Sequence, residues 1–200
     1  LIENKSPTLP EAELEAFDQV QHVYVDHIPE LLKFVQFFAA CDLRIHYGAT
    51  WNDNLKAFYT WKADGKDYGL ERLGKTLFGR ENLLHILRDY LIFFRADDQI
   101  QKFVLRPHQM RAVERIVNRV AAYLRPSPDV GRGVRGEGQL PSPSIGRGVG
   151  GEGFKTGLIW HTQGSGKTLT MIVAANMLRR LSGLENPTLL VVVDRRELET

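Results

Sequence analysis

Three features of the sequence predict an α/β fold. Near the carboxyl end an apolar run, TGLIWHT (Thr156–Thr162), leads into Gly-Ser-Gly-Lys-Thr, then into a helical pattern as far as Leu181, then into a β-branched run, PTLLVVVDRREL (Pro187–Leu198). Strand, loop, helix and strand in that order form the βαβ unit of a parallel sheet. Upstream, segments of helical and of strand-like apolar spacing follow one another. Between the two parts lies a Pro/Gly/Ser/Arg-rich segment with almost no core-forming residues.

In chain order, LIENKSP reads as a strand end stopped by Pro7, since a residue before proline is pushed out of the helical region. A helix is predicted from the Pro10 signal, with Leu14, Phe17, Val20 or Gln21, and Tyr24 at helical spacing. The run KFVQFFAACDLRIHYGAT is apolar and then alternates, with Leu43, Ile45 and Tyr47 on one side, as in a strand. A further short strand in KAFYTWKADGKDY ends in an Asp-Gly turn at Asp64–Gly65. RENLLHILRDYLIFF reads as an amphipathic helix with Leu83, Leu84, Leu87 and Tyr90 as its core stripe. The aromatic residues of this half read as core. LRPHQMRAVERIVNRVAAYLR is a second helix, with Pro107 in its first turn and Met110, Val113, Ile116, Val117 and Val120 on one face.

The low-complexity segment is an imperfect duplication. PSPDVGRGVRGEG (Pro126–Gly138) recurs as PSPSIGRGVGGEG (Pro141–Gly153), identical at 10 of 13 positions with a period of 15. It buries too little to offset the entropy of ordering it, so it reads as a disordered insert looping out between helix and strand. Contact with nucleic acid through Arg132, Arg135 and Arg147 is the alternative.

With 43% apolar and 25% charged residues, the composition is that of a globular, water-soluble protein. No apolar run is long enough to cross a bilayer, and LIENKSPTLPEAELEAF has neither the basic nor the apolar region of a secretory signal. The first residue is not Met, which suggests that the chain begins inside a longer protein. Cys41 is the single cysteine, so no internal disulfide forms, in keeping with a reducing cytoplasm. A net charge of +2 neither requires nor excludes a nucleic-acid partner.

The Gly-Ser-Gly-Lys-Thr stretch has the chemistry of a phosphate-binding loop. Glycines let backbone N–H groups curl around an anion, and the helix that follows adds its dipole. Gly164, Ser165 and Gly166 supply the curve, Lys167 would reach the β/γ phosphates, and the Thr168 hydroxyl would hold Mg²⁺. The usual pattern places a glycine five positions before Gly166; here His161 opens the turn, and it is given no catalytic role. The plainer alternative is a glycine-rich turn with a capping Thr. The strand, helix and strand around it favour a nucleotide site.

HTQGSGKT resembles the first motif of superfamily 2 helicases and translocases. The longer run GLIWHTQGSGKTLTMIVAANML, with NPTLLVVVDRREL, resembles the motor of the R (restriction) subunit of type I restriction-modification enzymes. The resemblance covers nearly all of the chain except the insert. It implies ATP and Mg²⁺ as cofactors, with Gln163 also at the nucleotide. LRPHQ resembles the element in which a Gln recognises adenine, which implies Gln109 for that role with Arg106 assisting; alone, Gln109 would read as an exposed helix residue. VVVDRREL resembles the next motif, near the DNA track, matched by Asp194 and Arg195. Arg195 would contact phosphate or pair with a neighbouring acid.

At the amino end, Glu3-x-Lys5 resembles the carboxylate–lysine pair of PD-(D/E)xK nucleases, in which the carboxylate binds Mg²⁺ and the lysine orients the attacking water. Alternation puts both side chains on one face of a strand. A bare Glu-x-Lys is also a common solvated ion pair. Many R subunits carry Gln-x-x-x-Tyr on the following helix. Tyr24 fits, but Val20 stands four positions before it, with Gln19 and Gln21 on either side.

The organisation implied is the C-terminal part of a nuclease-like α/β domain (residues 1–92), then a connecting segment and helix (93–125), the insert (126–153), and the start of a RecA-like ATP-binding motor domain (154–200). The function implied is part of the ATP-dependent DNA-translocating and DNA-cleaving subunit of a type I site-specific deoxyribonuclease. Its partners would be double-stranded DNA and the methylation and specificity subunits, in the cytoplasm, with no membrane partner. The family's metal-binding Asp would lie before Glu3 and its ATPase Asp-Glu pair after Thr200, so this piece alone would be inactive. The alternatives are a superfamily 2 DNA helicase without nuclease activity, and a non-catalytic remnant that retains only nucleotide or DNA binding.

Overall fold

The computed structural model describes residues 1–62, 69–96, 99–124 and 157–192. The Asp64–Gly65 turn, the duplicated insert, Asp194 and Arg195 lie outside these residues.

The described chain is mixed α/β. Strand β1 (Ile2–Asn4) lies parallel to β2 (Phe37–Cys41). Parallel neighbours need a crossover, and three short helical pieces provide it. Helix α1 (Ala12–Asp18) passes through a π-turn (Gln19–Val23) into α2 (Tyr24–His27), and α3 (Pro29–Leu32) follows. β2 then turns back into β3 (Ile45–Ala49), which pairs with β4 (Tyr59–Thr60), giving the sheet order β1-β2-β3-β4. The predicted single strand over residues 33–50 is thus a hairpin. Asp42 makes the corner by accepting the Arg44 N–H at 2.6 Å, which leaves Leu43 69% exposed in the turn, not on the inner face with Ile45 and Tyr47.

Helices α4 (Leu70–Phe78) and α5 (Arg80–His85) lead through a second π-turn (Ile86–Tyr90) into an antiparallel pair, β5 (Leu91–Ala96) and β6 (Gln99–Val104). The predicted helix over residues 80–94 therefore ends at Tyr90. Its core stripe is also corrected. Ile86 and Tyr90 are fully buried, whereas Leu84 and Leu87 are 55% and 39% exposed. The buried face runs through Leu83, Ile86 and Tyr90, at spacings of three and four, and Leu84 and Leu87 each stand one residue beyond it. Helix α6 (Pro107–Leu124) follows the hairpin and matches its predicted extent, and α7 (Lys167–Arg179) follows the glycine loop.

One apolar cluster joins these pieces. Tyr47, Leu77, Ile86, Tyr90, Leu105 and Val113 are fully or almost fully buried in it, and Val173 of α7 packs into the same cluster. The Tyr47 hydroxyl donates to the Leu105 carbonyl at 2.7 Å, so the sheet is tied to the residue just before α6. A smaller cluster of Phe17, Val20 and Phe38 seats α1 on the sheet.

The two strands predicted around the glycine loop are not formed in residues 157–162 and 187–192. Trp160 and Leu190 are 85% and 86% exposed. A strand needs a hydrogen-bonded neighbour, and none of the described residues forms a ladder with either segment.

Candidate functional site

Two constellations emerge, one at the glycine loop and one on β1. In the loop, Gly164 and Gly166 have φ of 72° and 78°, left-handed values that side chains with a Cβ adopt at a cost. The reversal folds the loop onto itself. The Thr162 carbonyl accepts the Ser165 hydroxyl at 2.7 Å and the Lys167 ammonium at 3.0 Å. Lys167 and Thr168 open α7, and both side chains are exposed.

Helix α6 braces this loop from below. Gln109 is buried, and its amide nitrogen donates to the Ser165 and Gly166 carbonyls, each at 3.0 Å. Its amide oxygen accepts the Arg106 backbone N–H at 2.8 Å. Gln109 is therefore not an ordinary exposed helix residue; it ties the start of α6 to the glycine loop. The Arg106 guanidinium lies over the Tyr59 ring, 5.0 Å from its centre. His108 also reaches the Ser165 carbonyl, through Nε2 at 3.2 Å.

A surface cleft of about 330 Å³ opens beside the loop, lined among others by Arg106, His108, Trp160, His161, Gln163 and Gly164. Of the residues predicted for the nucleotide, Arg106, Gln163, Gly164 and Ser165 line it. His108 and Trp160 were missed. One reads as a helix residue and the other as a buried strand residue, and no spacing in the sequence brings residue 108 to residue 165. His161 and His108 meet edge to face, with ring centres 5.1 Å apart. Burial pushes the His108 imidazole below its ordinary pKa; the Ser165 carbonyl opposes this, while His161, Arg106 and Arg111 reinforce it.

On β1, alternation places Glu3 and Lys5 on one partly covered face, with the Lys5 ammonium 3.6 Å from the Glu3 carboxylate. Tyr24 donates its hydroxyl to the other Glu3 oxygen at 3.1 Å, and Gln19 donates its amide to the Tyr24 hydroxyl at 2.8 Å. Lys5 in turn donates to the Gln19 amide oxygen and, at 3.0 Å, to Glu15. The contact with Glu15 is the chief reason the Lys5 pKa lies above its ordinary value. Glu3, Tyr24, Gln19 and Lys5 thus close a ring of polar contacts.

The π-turn explains the irregular spacing seen in the sequence. In a regular helix, residues four apart share a face; in a π-turn, residues five apart do. Gln19 is five before Tyr24 and falls in line with it. Val20 is fully buried, and Gln21 turns inward to donate to the Ala49 carbonyl at 2.8 Å. Of the two flanking glutamines, Gln19 faces Glu3 and Lys5.

Among the described residues, no group of three or more His, Cys, Asp or Glu side chains gathers as a metal centre. Glu3 offers one carboxylate beside Lys5, which suits part of a divalent-cation site. Thr168 offers one hydroxyl, which fits Mg²⁺ held mainly by nucleotide phosphates and water.

Residues 108–200 match the family model of SWI2/SNF2 ATPases. The whole chain aligns at 31% identity with a Methanocaldococcus jannaschii protein named for the MjaVIIP type I restriction enzyme endonuclease subunit. It aligns at 28% with the HindI type I restriction enzyme endonuclease subunit of Haemophilus influenzae, again over the full chain. A second M. jannaschii protein, named for MjaVIIIP, is 28% identical over 93% of the chain. The chain spans 17%, 18% and 16% of the lengths of these three relatives.

Proposed function

We propose that this chain, which belongs with the endonuclease subunits of type I restriction enzymes, carries two working parts of such a subunit. One is the phosphate loop of an ATP-driven motor. The other is the Glu-x-Lys element of a metal-dependent nuclease. The observation that carries the proposal is the brace of Gln109 on a loop whose two glycines are already left-handed, at the start of α7.

ATP would lie along the loop. Backbone N–H groups at the start of α7 would face its phosphates, with Lys167 neutralising the β/γ charge and Thr168 holding Mg²⁺. Hydrolysis would drive movement along double-stranded DNA. Gln109 would read adenine by exchanging one of its loop contacts for the base, with Arg106 beside it. At the other site, Glu3 would contribute to a Mg²⁺ site, and Lys5, held by Gln19, would orient the attacking water. The Glu3–Tyr24–Gln19–Lys5 ring favours this reading over a helicase without nuclease activity, because an incidental surface ion pair has no need of it. Residues 1–92 would then be nuclease domain and residues 154–200 motor, with 93–125 connecting them. Methylation and specificity subunits would be the partners, in the cytoplasm. Among the described residues, no helix is long and apolar enough to cross a membrane.

Titration of the chain with MgATP tests the motor half. Binding should be lost in Lys167→Ala, and binding that survives this substitution would sink the assignment. For the nuclease half, Glu3→Ala and Lys5→Ala in the longer protein should abolish DNA cleavage and leave ATP hydrolysis in place.

A further inference from the structure

We propose that His161 and His108 form an imidazole pair that contacts the phosphate chain of the bound nucleotide and takes up a proton as it binds. The inference rests on the phosphate-loop reading above and adds two ligands to it. His161 stands where the usual motif has a glycine, so a ring lies at the mouth of the loop where other loops have only a hydrogen. That ring lines the cleft. Its Nδ1 is buried and, among the described residues, has no hydrogen-bond partner. Buried polar nitrogens left unpaired are rare and call for a reason.

His108 completes the pair from α6. Its Nε2 lies 3.2 Å from the Ser165 carbonyl, which can only accept, so Nε2 carries the proton and Nδ1 is the basic nitrogen. The side chains acting on His108 are His161 from the loop, Arg111 from α6 and Arg106 just before it, all basic; no carboxylate is among them. Lys167 adds another positive charge to the loop. In that setting the His108 imidazole is held toward its neutral form. A polyphosphate reverses the balance, because its negative charge favours the protonated ring. Binding therefore raises the imidazole pKa, and affinity rises as the pH falls through the pKa of the complex. A rise of about one unit would make binding about tenfold tighter on the acid side.

The test is calorimetric titration of the chain with MgATP near pH 6 and near pH 8. Unsubstituted protein, His161→Gly, His161→Gln, His108→Gln and Lys167→Ala are compared. His161→Gly restores the residue the motif usually has, and His161→Gln keeps a side chain there should the loop need one. Protonation of the nucleotide itself is common to all of them and cancels. The expected result is binding by the three histidine variants at both pH values, with the acid-side gain reduced about tenfold relative to the unsubstituted chain. Inorganic triphosphate should show the same gain, since the pair meets phosphate and not base. If the histidine variants keep the full gain while Lys167→Ala loses binding, the pair is refuted and the loop stands. If the unsubstituted chain does not bind, or Lys167→Ala binds equally well, the loop reading falls and the pair falls with it.

Discussion

Replacing Gly166 by alanine should damage the loop far more than replacing Gly164, although the two glycines share a left-handed backbone. Gly164 has φ 72°, and a Cβ there would meet nothing within 4 Å. Its substitution costs only the backbone strain, about 1–2 kcal/mol. At Gly166, with φ 78°, the same Cβ would come within 2.2 Å of the Gln109 amide nitrogen. That atom is the far end of a flexible side chain, but it is buried and donates to both the Ser165 and Gly166 carbonyls. Moving it away gives up two hydrogen bonds of about 1 kcal/mol each on top of the strain, roughly 3–4 kcal/mol in all. For a chain of this length that is a fall in Tm on the order of 10 °C, against about 4 °C for Gly164→Ala. Thermal unfolding followed by circular dichroism measures both. The double variant Gly166→Ala/Gln109→Ala separates the two contributions, because it removes the clash and should fall less far than the two single effects added together. Equal Tm values for Gly164→Ala and Gly166→Ala, or strict additivity in the double variant, would refute the brace.

Three further outcomes are expected. The Asp89 side chain is buried, with Arg88 and Arg180 at 2.8 and 2.9 Å; burial pushes its pKa up, but hydrogen bonds from Arg88 and His85 and the charges of both arginines outweigh this and hold it below the usual range. Its contribution to stability is present above the unfolded carboxylate value near 3.9 and lost as pH falls through the lower folded value. Asp89→Asn should therefore lower Tm at pH 7, and the gap should close in acid; a gap that persists at about pH 2 would count against the assignment. Lys102 is a buried amine bonded to the Thr50 hydroxyl at 2.8 Å, and burial pushes its pKa down. The unfolded chain holds that proton more tightly, so the native state gains stability as pH rises from the folded value towards about 10.4. Lys102→Met should raise stability by roughly 1 kcal/mol at pH 7 and by less near pH 10; denaturant melts at the two pH values decide it. Gln19→Ala should remove the side chain that joins Tyr24 to Lys5. In the longer protein, DNA cleavage should fall at least tenfold while ATP hydrolysis persists, and unchanged cleavage would mean that Gln19 has no part in the site.

The elements most readily legible in the sequence were those set by local rules. Helix α6 was marked by Pro107 and by an apolar face repeated over about three turns, from Met110 to Val120, and α7 by the lysine and threonine that follow the glycines. Glu3 and Lys5 share a face because a strand alternates, whatever lies around it. The loop chemistry was equally local, since only glycine takes the left-handed backbone at Gly164 and Gly166 without strain. Where the reading failed, distant residues decided the outcome. Helix α5 gave way to β5 because β6 offers it a ladder, and Leu84 and Leu87 lost the core to Ile86 because the sheet and α6 meet the face that carries Leu83 and Tyr90. The apolar runs on either side of the loop read as buried strands, yet residues 157–162 and 187–192 have no ladder partner among the described residues. Apolar period had marked out an α/β chain, the Gly-Ser-Gly-Lys-Thr motif the loop, and the resemblance to a nuclease family the acid–lysine pair. Only packing could select Gln19 over Gln21, turn Gln109 from the helix surface onto the loop, and set His108 against His161, because each depends on residues that are far apart along the chain or out of step with the regular helical period.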